Sequence, residues 1–142
     1  MYSKWDERFL SLAELVGSWS KDPSTKVGAA IIRPDRTIAS LGYNGFPRGV
    51  SDEYLDREHK LLRTVHAEMN AILSAREPLN GCTLYVSPLF PCANCAAAII
   101  QSGVSAVVAR MGALRPEWQT SFDAAADLFA QAGVSVQLYP VR

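Results

Sequence analysis

The sequence has no apolar run near the roughly 18 residues that a bilayer-spanning helix needs. It has no charge surplus either, since 14 Lys plus Arg face 14 Asp plus Glu. A protein that grips a polyanion usually carries a positive excess, so this balance argues against nucleic acid as the partner. Cysteine is scarce and odd in number: Cys82, Cys92 and Cys95. In a cytosolic chain that fits metal or thiol chemistry better than a disulfide framework. There is no internal repeat, low-complexity tract or linker, and MYSKWDERFL at the start lacks the apolar core of a signal peptide. The expectation is a cytoplasmic chain with no membrane partner. What is present suffices for a core: 49% of the 142 residues are hydrophobic, which fits one compact domain over 1–142.

Periodicity divides the chain into alternating elements. Phe9, Leu10, Leu12, Ala13, Leu15 and Val16 recur at helical spacing and predict a helix over about 3–19. Asp22-Pro23-Ser24-Thr25 reads as a turn. The apolar run 27–32 is a buried strand, and Pro34-Asp35-Arg36 turns it into a second strand over 37–41. The stretch of about 42–62 shows no period and is read as irregular. Helices follow over about 65–75, 92–102 and 121–132, the last two stopped by Gly103 and Gly133. Strands are predicted over 82–87, 104–109 and 134–138. Helices alternating with short strands imply parallel βαβ units, while the opening hairpin is antiparallel. The expected fold is α/β, a mixed sheet with helices on both faces.

Two motifs carry the chemistry: His66-Ala67-Glu68 and Pro91-Cys92-Ala93-Asn94-Cys95. H-x-E followed by P-C-x-x-C is the signature of zinc deaminases. Zinc takes thiolate and imidazole ligands, and a catalytic site keeps three protein ligands and one open position. His66, Cys92 and Cys95 supply three. Residues three apart share a helix face, so Cys92 and Cys95 can grip one ion. Both motifs fall at predicted helix starts, where free N–H groups and the helix dipole favour thiolate. Glu68 is the candidate proton carrier for hydrolysis. Positions i and i+2 do not share a helix face, so His66 must sit at or before the first turn if it is to meet Glu68. A closed, structural zinc site is the competing reading; it would need Cys82 as fourth ligand, and Cys82 reads instead as a small buried strand residue.

Together VGAAII, GYNGFPRG, HAEMNAI and PCANCAAAIIQSG resemble the cytidine and deoxycytidylate deaminase superfamily, most closely its deoxycytidylate (dCMP) branch. The resemblance spans about 5–140 and implies a three-layer fold with a mixed five-stranded sheet between helices. It implies one Zn2+ per chain on His66, Cys92 and Cys95, Glu68 as proton shuttle, and hydrolysis of dCMP to dUMP and ammonia. Asn44 matches the asparagine that binds the sugar; as Asn44-Gly45 it also reads as a hairpin turn. The Ala67 backbone would meet the base edge. Phe90 reads either as a ring packing on the pyrimidine or as a core aromatic. Ser24, Thr25, Lys26 and Arg48 are phosphate candidates, each also readable as a solvated surface residue. The family further implies a homo-oligomer, hexamer included, with dCTP and dTTP as effectors and Mg2+ accompanying such a nucleotide. Tyr85 to Cys92 is one residue longer than the family spacing, which leaves the base-stacking residue open. His59 and Cys82 read as a polar loop residue and a core residue, not as a second zinc site. Trp5, Trp19 and Trp118 read as packing residues. The rivals are a deaminase of another ring (cytidine, cytosine or other base, or adenosine in tRNA) and a non-catalytic zinc-stabilised interaction domain.

Overall fold

The computed structural model describes residues 3–141. Helix α1 (Lys4–Gly17) opens on Ser3, whose hydroxyl accepts the Asp6 N–H, and Asp6 and Glu7 in its first turn suit the helix dipole. Strands β1 (Gly28–Ile32) and β2 (Ile38–Tyr43) form the expected hairpin. Then come α2 (Arg57–Arg63), α3 (Ala67–Ser74), β3 (Thr83–Ser87), α4 (Ala93–Gln101) and β4 (Ala106–Met111). A 3-10 turn (Pro116–Trp118) leads into α5 (Gln119–Ala132), which Gly133 ends at φ 76°, a backbone angle that glycine adopts freely. The chain finishes its described part with β5 (Ser135–Pro140).

The five strands form one sheet in the order β2-β1-β3-β4-β5. β1 runs antiparallel to both neighbours; β3, β4 and β5 run parallel. Helix α1 covers one face, where Phe9 and Leu10 pack on Ala30, Ile32, Tyr85 and Val108. On the other face α3, α4 and α5 pack through Ala67, Ala71, Ile99, Phe122 and Phe129 on Ala29, Ile31, Leu84 and Val107. β1 is buried along its whole length because both faces are covered, which is why it reads as an unbroken apolar run. Among the described residues, no helix is long and apolar enough to cross a membrane.

Two expectations need correction. The stretch 42–62 is not wholly irregular, since α2 lies in it, capped where the Asp56 carboxylate accepts the His59 N–H at 2.9 Å. Its sequence REHKLLR buries only Lys60, so it has no apolar stripe to betray a helix. His59 is consequently a helical residue, its Nδ1 accepting the Leu55 N–H. Asn44-Gly45 is not a hairpin turn: Gly45 pairs instead with Val65 in an isolated antiparallel bridge.

The register gathers three connecting segments at one rim. Gly28 at the start of β1 lies opposite Tyr43 at the end of β2 and Ser87 at the end of β3. The segment before β1, the segment after β2 and the segment after β3 therefore leave one rim of the sheet. These are the segments that carry Asp22 to Thr25, Asn44 and the zinc motif.

Candidate active site

Both motifs sit at helix starts, as their chemistry requires. His66 is the N-cap of α3, with φ −69° and ψ 155°, and Cys92 is the N-cap of α4, with φ −74° and ψ 171°. The extended cap conformation resolves the spacing difficulty: the direction of His66 is not set by helical geometry, so it can share a site with Glu68 in the first turn. Neither side chain caps its own helix. Each turns instead to the other motif. His66 Nδ1 lies 3.5 Å from Cys92 Sγ and 3.3 Å from Cys95 Sγ. The three donor atoms all fall within 4.8 Å of one another, the single such group of three His, Cys or acidic side chains among the described residues.

This donor set fits zinc. Tetrahedral ligands at about 2.3 Å (sulfur) and about 2.0 Å (nitrogen) stand about 3.6 Å apart, close to the separations seen. Hydrogen bonding from Cys95 and then from His66 draws the Cys92 thiol down, against the cost of burial. Cys95, donating to Cys92 and buried, is pushed up, and His66 is pushed up by its contact with Cys92. Cys82 is buried at the foot of β3, where burial raises its thiol, and is not part of the group.

Glu68 is 4% exposed. Burial pushes its carboxyl up to about 7, against its own backbone N–H and His66, which favour the charged form. A buried carboxyl is costly to charge and brings a purely structural site no evident gain. It suits a group that must both take and give a proton near neutral pH.

The cluster opens into a cavity of about 310 Å3. Its walls include His66, Ala67, Glu68 and Cys92 at one end and Asp22, Ser24, Thr25 and Asn44 from the rim loops. Leu89, Phe90, Trp118 and Phe122 give it an apolar side. Asn44 is buried and ties the rim together: its Oδ1 accepts the Val27 N–H and its Nδ2 donates to the Thr25 carbonyl, both at 2.9 Å. One Nδ2 hydrogen and one Oδ1 lone pair are left over. Phe90 also belongs to the core, edge-on to Phe122 and Phe129 at 6.2 and 5.7 Å.

Of the four phosphate candidates, Ser24 and Thr25 line this cavity; Lys26 and Arg48 do not. Lys26 faces a separate hollow beside Ser18 and Arg110. Arg48 is exposed in the loop beyond Gly45. Two cations come instead from α2, Arg57 and Lys60, one turn apart on the same face. The Lys60 ammonium is buried, 3.1 Å from Asp22 Oδ1 and 3.2 Å from Ser24 Oγ. Sequence reasoning missed both cations, and it missed Trp118 as a wall residue. No sequence signal pointed to the two cations, because a seven-residue segment without an apolar stripe does not read as a helix.

Residues 3–111 match the sequence pattern described as the cytidine and deoxycytidylate deaminase zinc-binding region. A protein of Aliivibrio fischeri, described as an uncharacterized deaminase in the luxG 3' region, is 50% identical over 145 residues, covering 99% of this chain and 97% of that one. The deoxycytidylate deaminase of Homo sapiens is 38% identical over 149 residues, covering 97% of this chain and 81% of that one. The crystal structure of dCMP deaminase from the cyanophage S-TIM5, in complex with dCMP and dUMP, matches with a TM-score of 0.81 and 27% identity, over 98% of this chain and 99% of that one. With that pattern laid over most of its length, this chain belongs to the cytidine and deoxycytidylate deaminase family.

Proposed function

We propose that this protein converts dCMP to dUMP by hydrolysis, water entering and ammonia leaving at the ring carbon that bears the amine. The observation that carries the reading is the buried Glu68 carboxyl close to the His66, Cys92 and Cys95 donors, with Glu68, His66 and Cys92 lining one cavity and Cys95 buried behind them. His66 Nδ1 and the two sulfurs would hold Zn2+, one per chain. Bound there, zinc supplies Lewis acidity that makes water a nucleophile at neutral pH. Glu68 takes a proton from the attacking water on a carboxylate oxygen and gives it to the ring nitrogen beside the reacting carbon. It then carries the second proton to the departing amine, so the balance is one water for one ammonia. The Ala67 backbone meets the base edge, and the spare Asn44 amide hydrogen meets the sugar. Leu89, Trp118 and Phe122, with Phe90, form the apolar wall for the ring. Arg57 and Lys60, with the Ser24 and Thr25 hydroxyls, take the phosphate in place of Lys26 and Arg48. The same reading extends to a homo-oligomer answering to dCTP and dTTP with Mg2+, which sizing in the presence of each nucleotide checks.

The test is ammonia release from dCMP, deoxycytidine, CMP and cytosine by zinc-loaded protein. dCMP is expected to be turned over fastest, and Glu68→Ala to lose at least about 100-fold. Arg57→Ala is expected to raise KM for dCMP about 10-fold with kcat nearly unchanged, as loss of a charge-assisted contact would do. Deoxycytidine, which has no phosphate, should not notice that change. Four inert substrates with zinc bound would sink the assignment.

A further inference from the structure

Helix α4 begins with an omission. Its cap position is Cys92, whose side chain is turned to His66 and makes no capping hydrogen bond. A helix start leaves its first N–H groups without partners in the helix, and Ser, Thr, Asn or Asp at the cap normally supplies an acceptor. Here a ligand occupies the cap. For the first of these groups an acceptor comes from another element: the Ala93 N–H donates to Ser121 Oγ at 2.9 Å, across 28 residues of sequence. Ser121 is in the first turn of α5 and is half-buried in the wall of the cavity.

We infer that Ser121 is a positioning residue for the metal ligands, capping α4 from α5 so that Cys92 is free to face His66. The inference rests on the zinc reading above. Its physical content is local. Ala93 directly follows Cys92, and Cys95 lies one turn on, so the first turn of α4 sets the spacing of the two sulfurs. Helix ends fray when their N–H groups lack acceptors. With the Ala93 N–H unsatisfied, that turn loosens and the sulfurs lose their fixed separation. The hydroxyl adds no charge and needs to touch no reacting atom; it acts through the backbone of the ligand helix. It also couples metal retention to the docking of α5, which carries Phe122 of the cavity wall on the next residue.

The sequence offers a way to separate this role from general destabilisation. Proline is favoured at the first position of a helix, where its missing N–H is no loss. A residue before proline prefers extended backbone, which Cys92 already has at φ −74° and ψ 171°. Ala93→Pro therefore removes the donor that Ser121 serves while keeping the helix start; its Cδ takes the place of the N–H hydrogen, so the Ser121 hydroxyl turns away in that background.

The experiment measures zinc affinity by competition with a chromophoric chelator, and the cobalt-substituted absorption spectrum as a report on thiolate geometry. Ser121→Ala is expected to weaken zinc by about 10- to 100-fold, the range for loss of a group that orients a ligand. It should also alter the cobalt–thiolate bands. Ser121→Thr, which keeps the hydroxyl, should restore affinity to within about threefold of wild type. In the Ala93→Pro background, Ser121→Ala should cost nothing further. The inference is overturned if Ser121→Ala holds zinc as wild type does, or if its penalty is the same with and without Ala93→Pro. Wild-type protein that binds no zinc at all would sink the metal reading and this inference with it.

Discussion

Asp22 concentrates three hydrogen bonds on one carboxylate oxygen. Its Oδ1 accepts the Ser24 N–H at 2.8 Å, the Thr25 N–H at 3.1 Å and the Lys60 ammonium at 3.1 Å. Burial pushes the carboxyl up, but the two amides and Lys60 together outweigh it and hold it below the usual aspartate range. A carboxyl lowered on folding binds protons less readily in the native state than in the unfolded one. Its contribution is therefore full above the unfolded value of about 3.9 and is lost as pH falls through the lower folded value. Urea unfolding from pH 7 down to pH 3 should show wild-type stability falling faster at the acid end than that of Asp22→Asn. Parallel curves would refute it. The grouping of His66, Cys92 and Cys95 near Glu68 was legible beforehand because hydrolytic zinc chemistry asks for those residue types at that spacing. Asp22, Arg57 and Lys60 were not, since a charged side chain in a loop or a short helix reads as solvated surface until folding places it on a wall. Lys26 and Arg48 had the same surface signature and ended outside the cavity.

Helix α3 carries His66 at its cap and Glu68 in its first turn, so its seat on the sheet sets the site. That seat is Gly42. A Cβ at residue 42 would stand 2.4 Å from the Ala71 nitrogen and 2.5 Å from the Ala67 carbonyl oxygen. Both are backbone atoms, so relief requires the helix to shift rather than a side chain to rotate. Gly42→Ala should cost about 1–3 kcal/mol, the usual range for overpacking, and should weaken zinc as well. Gly45→Ala meets nothing within 4 Å and should be close to neutral by comparison. Thermal unfolding and chelator competition read the two effects; a Gly42→Ala protein as stable and as tight for zinc as wild type would show that α3 has slack. Strands and long helices were legible because they present an apolar stripe or an unbroken apolar run. The close approach at Gly42 was not, because a glycine in a strand does not say what presses on it. The 3-10 turn that brings Trp118 to the cavity was equally hidden, being three residues long and exposed along most of its length.

The two ligand helices belong to different parts of the sheet. α3 packs against β1 and β2, whereas α4 follows β3 and packs against α5. A cation held by His66 from one and by Cys92 and Cys95 from the other is a cross-link between the antiparallel hairpin and the parallel βαβ half. Zinc bound to the native state and not to the unfolded chain stabilises by mass action, about 2.7 kcal/mol at a free concentration 100 times Kd. For a chain of 142 residues that corresponds to a rise in Tm of about 10 °C. Stripping the metal with a chelator should lower Tm by that order, and readding zinc should restore it. Cys92→Ser, which replaces a thiolate with a weak ligand, should lose most of this response while keeping the fold, because Ser is a good cap residue and can close the start of α4 itself. The two curves together separate the cross-link from the helix cap: a wild-type Tm indifferent to zinc would mean that the ligands do not join the halves, whereas a Cys92→Ser protein that still gains the full increment would mean that the stabilising ion sits elsewhere.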